Sequence, residues 1–142
     1  WRPEDVNRNY PLEQIDDPYK LVKYNTKSSM PLNIWSWTQY ILTVFMMLHM
    51  FIVIGDVSFS MGYMYALFLL LQIFSLTSLL DGNYYSIIAD FLKISLACAL
   101  IYYQGYFWYG ISGVWLYLLL VYLLGSLILT YVFLSKKQIH LA

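Results

Sequence analysis

Apolar residues in this chain fall into four long runs separated by short polar breaks. The runs occupy 35–54, 59–80, 84–103 and 114–134. Each is long enough to cross a hydrocarbon layer of about 30 Å at about 1.5 Å per residue. The first break contains Gly55, Asp56 and Ser58, and the second is the turn-forming tripeptide Asp81-Gly82-Asn83. The third opens at Gln104-Gly105 and closes at Gly110 and Gly113, and Lys136-Lys137 ends the fourth run. None of the runs alternates as barrel strands do. Backbone groups in lipid must be bonded within their own segment, which favours helices. The pattern therefore predicts an all-α fold, a transmembrane bundle of about four helices over 34–142. An irregular polar connector over 1–33, holding all four prolines (Pro3, Pro11, Pro18 and Pro31), precedes it.

Composition sharpens this picture. The chain is 61% hydrophobic and only 11% charged, far from the balance of a water-soluble domain. Ten of its charges lie between Arg2 and Lys27, and between Ser28 and Ser135 only Asp56, Asp81, Asp90 and Lys93 remain. A net charge of zero gives no basic surface for nucleic acid, so membrane lipids are the expected surroundings. Lys20, Lys23 and Lys27 precede the first run, and Lys136 and Lys137 follow the last, while the breaks around Asp56 and Gln104 carry neither Lys nor Arg. With an even number of crossings, the positive-inside rule predicts a multi-pass protein with both termini cytoplasmic. Aromatic residues at the run ends, Trp35 and Trp37 and then Tyr102 through Tyr109, suit the headgroup level.

Candidate chemistry is sparse. Asp90 and Lys93 interrupt the third run at i, i+3 spacing, which lets them face each other on a helix as an intramembrane polar pair. Their expected role is mutual neutralisation, with a polar contact to a substrate head group or to another domain as the alternative. His49 sits in an apolar stretch, and the other histidine, His140, follows the last run, so joint metal coordination is not expected. The single cysteine, Cys98, reads as a small core residue, and the methionines read as packing material. No triad order, phosphate-binding glycine loop, paired-carboxylate motif or Cys/His ligand set is present, so no catalytic, cofactor-binding or metal residue is assigned.

Two stretches carry a resemblance. The start Trp1-Arg2-Pro3-Glu4-Asp5-Val6, with Tyr10-Pro11 after it, resembles the segment that follows the catalytic core in alkylglycerol monooxygenase-like proteins of the sterol desaturase/fatty acid hydroxylase superfamily. The stretch from Ser75 to Gly82, followed by Ile88-Ala89-Asp90-Phe91-Leu92-Lys93, resembles that family's late turn and the helix after it. The resemblance implies a membrane-bound di-iron oxygenase acting on lipids with dioxygen, its iron held by HxxxH and HxxHH boxes. In the animal enzyme of that family the reductant is tetrahydrobiopterin and a glycerol ether is cleaved. None of the boxes occurs here, and two histidines cannot replace them. The expectation is a C-terminal membrane region whose catalytic domain lies before Trp1, with a packing or lipid-access role. A free-standing four-helix scaffold or partner protein is the alternative.

Overall fold

The computed structural model describes residues 29–139, with side chains through 135. Four helices follow one another: α1 (Met30–Val53), α2 (Phe59–Asp81), α3 (Tyr85–Tyr103) and α4 (Val114–Ile139). No strand forms among the described residues. All four helices are long and apolar enough to cross a membrane, and the chain is a multi-pass integral membrane protein.

Two boundaries differ from the hydropathy pattern. Helix α1 starts at Met30, not at 35, so 29–33 does not belong to the irregular connector. Ser29 caps the helix, its hydroxyl accepting the Leu32 N–H at 3.4 Å, and Pro31 sits in the first turn, where its missing N–H has no intrahelical partner to lose. The rest of the connector, including the other three prolines, lies outside the described residues. At the other end α4 runs on to Ile139 through Lys136 and Lys137. A lysine ends an apolar run, yet it is a good helix former and does not end a helix.

The turn at Asp81 is built as its residues dictate. Gly82 takes a left-handed backbone (φ 70°, ψ 34°), and its N–H and that of Asn83 bond back to Leu79 and Ser78 at 2.9 and 2.8 Å. These bonds satisfy two of the open carbonyls at the end of α2 and send the chain into α3.

Each helix packs against the next, α2 against α3 most extensively, whereas α1 and α4 touch only sparsely. What lies inside is unusual by the standards of a soluble protein. Gln39, Gln72, Ser75, Ser86, Asp90, Lys93, Ser126 and Thr130 are all buried, while Phe59, Ile52 and Tyr131 stand well exposed. In lipid there is little hydrophobic drive between helices, so polar bonds and close packing hold them while apolar side chains face the solvent tails. Cys98 follows that logic and corrects the expectation of a core residue, because it is exposed on α3.

The segment between α3 and α4 seals one end of the bundle. Gly105, Tyr106, Tyr109, Gly110 and Gly113 all have positive φ, and Trp108 and Ile111 exchange two backbone hydrogen bonds. The resulting tight loop turns Trp108 and Tyr109 inward against Tyr65 and Phe68, with the Tyr65 and Tyr109 rings 4.6 Å apart. Of the aromatic cluster expected at headgroup level, Tyr102, Tyr103 and Tyr106 are exposed, but Trp108 and Tyr109 are core residues.

Candidate functional site

Asp90 stands at the centre of a polar network within the membrane-spanning part of the bundle. Its Oδ1 accepts hydrogen bonds from Lys93 at 2.5 Å and from Ser75 of α2 at 2.7 Å. Its Oδ2 accepts from Thr130 of α4 at 2.7 Å and from Ser126 at 3.2 Å. Ser126 in turn receives Lys93 Nζ at 3.1 Å and Gln39 Nε2 of α1 at 3.2 Å. One donor and two acceptor sites exhaust a hydroxyl, so Ser126 is fully used. The network thus touches all four helices. Lys93 also lies 5.9 Å from the centre of the Tyr122 ring, whose hydroxyl receives Gln72 Nε2.

This arrangement answers how two charges can sit in lipid. A buried carboxylate is tolerated when paired and fully hydrogen-bonded, and Asp90 is both. Of the residues singled out from sequence, Asp90 and Lys93 are brought together. Ser75, Ser126, Thr130 and Gln39 carry no charge and were not singled out. Their only trace in the sequence is helical spacing: Ser126 and Thr130 are i, i+4 on α4, and Gln72 and Ser75 are i, i+3 on α2.

A second feature lies where α1 and α4 part. A cavity of about 680 Å³ opens there, walled by Leu42, Phe45, Met46 and His49 of α1 and by Trp115, Leu118, Leu119 and Tyr122 of α4. Both walls follow helical spacing, and Gly110, Ile111 and Ser112 of the loop form its end. Its size falls in the range of small-molecule sites, and no charged residue lines it. From Leu42 to His49 the cavity runs about 10 Å, at about 1.5 Å of rise per residue.

His49 lies at the loop end of this cavity, its Nδ1 2.9 Å from the Tyr65 hydroxyl. Tyr65 donates to the Met46 carbonyl at 3.1 Å, which ties α2 to α1. His140 lies outside the described residues. Among the described residues no three His, Cys, Asp or Glu side chains group as a metal site would need. Outside the spans, Tyr109 donates its hydroxyl to the Met61 carbonyl at 2.7 Å, and burial pushes its phenol up to about 12.

No family model, curated protein or solved structure matches the chain.

Proposed function

We propose that this chain is the C-terminal membrane domain of a membrane-bound di-iron lipid oxygenase of the sterol desaturase/fatty acid hydroxylase type, alkylglycerol monooxygenase-like, serving to admit a lipid chain. The observation that supports the access role is the apolar cavity between α1 and α4, placed where two lipid-facing helices separate. The polar network ties α1 to α4 through Gln39 and Ser126, about one turn beyond the Leu42 and Tyr122 end of the cavity, so the bundle is held there while the seam opens toward the loop. Oxygenase identity rests on the Trp-Arg-Pro start and the Leu-Leu-Asp-Gly turn with its acidic and basic helix.

Residues 29–139 do not fit a di-iron centre. His49 is bonded to a tyrosine, and both oxygens of Asp90 are committed to Lys93, Ser75, Ser126 and Thr130. In this reading iron belongs to a catalytic domain upstream, and no step of the reaction runs through ligands of this chain. Orientation is part of the proposal: both termini cytoplasmic, supported by the lysines flanking the outer helices.

The test is made on the parent protein. Leu118→Trp fills the cavity without touching the network, and iron content and lipid turnover are measured separately. Unchanged iron with turnover reduced about tenfold supports the access role, and unchanged turnover overturns it. Histidine boxes in frame upstream of Trp1 support the oxygenase reading. A start codon close upstream favours the second reading, a non-catalytic four-helix scaffold.

A further inference from the structure

We infer that the cavity between α1 and α4 binds an uncharged lipid through a hydroxyl group, which donates its proton to Nε2 of His49. The inference rests on reading the cavity as a lipid site and adds the chemistry of the end group.

The argument is one of proton placement. A tyrosine hydroxyl has a single proton to give. Tyr65 stands 3.1 Å from the Met46 carbonyl, which can only accept, and 2.9 Å from Nδ1 of His49. If Tyr65 gave its proton to Nδ1, its oxygen would face the Met46 carbonyl with no hydrogen between two acceptors. Both contacts are satisfied together only when Tyr65 donates to Met46 and Nδ1–H of His49 donates to Tyr65. Fixing the hydrogen on one ring nitrogen of a neutral imidazole leaves the other as a lone-pair acceptor. Nε2 is therefore an acceptor, and it bonds to none of the described residues.

Three properties of the cavity narrow the ligand. Its walls are apolar over the stretch from Leu42 to His49, so the body of the ligand is a hydrocarbon. It has no lysine or arginine, so a carboxylate or phosphate end would lie uncompensated in low dielectric. Nε2 of His49 at the loop end is an acceptor, so a ligand that engages it must present a donor. Ser112, exposed beside the same end, offers a hydroxyl that can meet the oxygen of that group. An aliphatic alcohol has all three properties, whereas an ether or an alkane lacks the donor and a fatty acid anion carries the wrong charge.

The test uses the full chain in lipid nanodiscs and a dodecan-1-ol carrying a diazirine at its eighth carbon, which sets the label as far from the hydroxyl as Leu42 is from His49 along α1, with the labelled residues mapped by mass spectrometry. Labelling is expected near Leu42 and Tyr122, at the deep end. Unlabelled dodecan-1-ol should compete at concentrations about tenfold below those needed of dodecyl methyl ether, dodecane or dodecanoate, the scale of one lost hydrogen bond. His49→Phe should weaken labelling about as much, and His49→Gln, which keeps an acceptor, should restore part of it. The competition series needs no variant, so a misfolded substitution cannot obscure the answer. If the ether or the alkane competes as well as the alcohol, the hydroxyl inference falls while the lipid cavity stands. If no probe labels the cavity walls, both fall.

Discussion

Lys93 donates to Asp90 across one turn of α3, and neither side chain exposes any surface. A salt bridge in that setting is weak evidence for stability by itself, since desolvation offsets the attraction. What distinguishes this pair is its company: three hydroxyls on two other helices complete the carboxylate, so the charges act as a joint between helices.

Removing one charge should therefore be worse than removing both. Lys93→Leu leaves a buried carboxylate with hydroxyl donors but no counter-charge, and is expected to destabilise the bundle by about 3–5 kcal/mol. Asp90→Asn with Lys93→Met should destabilise it by clearly less. Reversible unfolding in mixed micelles measures both. Equal losses would mean that the pair is not coupled.

The hydroxyl donors on α4 should contribute modestly. Thr130→Val and Ser126→Ala are each expected to lower stability by about 0.6–1.7 kcal/mol, the scale of hydrogen bonds between membrane helices. Ser126→Ala should be the more severe, because it also deprives Gln39 and Lys93 of an acceptor. The reverse order in the same unfolding assay would contradict the geometry.

Tyr109 carries a pH dependence. Its phenol titrates near 10 when unfolded and near 12 when folded. The folded state holds the proton more tightly, so this contribution to stability is complete below pH 10 and is lost as pH rises toward 12. Tyr109→Phe forfeits the bond to the Met61 carbonyl, about 1 kcal/mol at neutral pH, and should flatten the alkaline fall. A thermal unfolding series from pH 8 to 11 would reveal either outcome.

Cys98 provides a probe of the membrane itself. A nitroxide on this cysteine, the only one in the chain, should be relaxed by dissolved oxygen and shielded from a water-soluble nickel chelate. Cys98→Ala should leave stability within about 0.5 kcal/mol, as expected for an exposed site. Strong nickel relaxation would place that face of α3 in water.

Much of the fold is legible in the chain because length and hydropathy decide it. The four runs correspond to the four helices, and the Asp81-Gly82-Asn83 turn falls where its residues require. Two ends shift because hydropathy reports where charge begins, whereas helices end by caps and propensity: Ser29 and Pro31 start α1 ahead of its apolar run, and α4 passes through its lysines. The site was legible only in its charged half. Asp90 and Lys93 mark themselves by their charge in an apolar run, but nothing in one sequence says that Ser126 and Thr130 turn toward α3 when other polar residues turn outward. That depends on how the helices rotate against one another. Trp108 and Tyr109 were hidden for a related reason. Their inward position follows from five positive φ angles in the loop, only three of them at glycine. The exposure of Cys98 likewise depends on helix rotation, which composition does not set.

The self-contained pairing on α3 also bears on the order of assembly. Chains are made from the N-terminus, so α3 is synthesised before the hydroxyls of α4 exist. During that interval its two charges have only each other and Ser75 of the preceding helix. A partner three residues away travels with the segment, so α3 carries its own neutralisation into lipid before α4 arrives to complete the network.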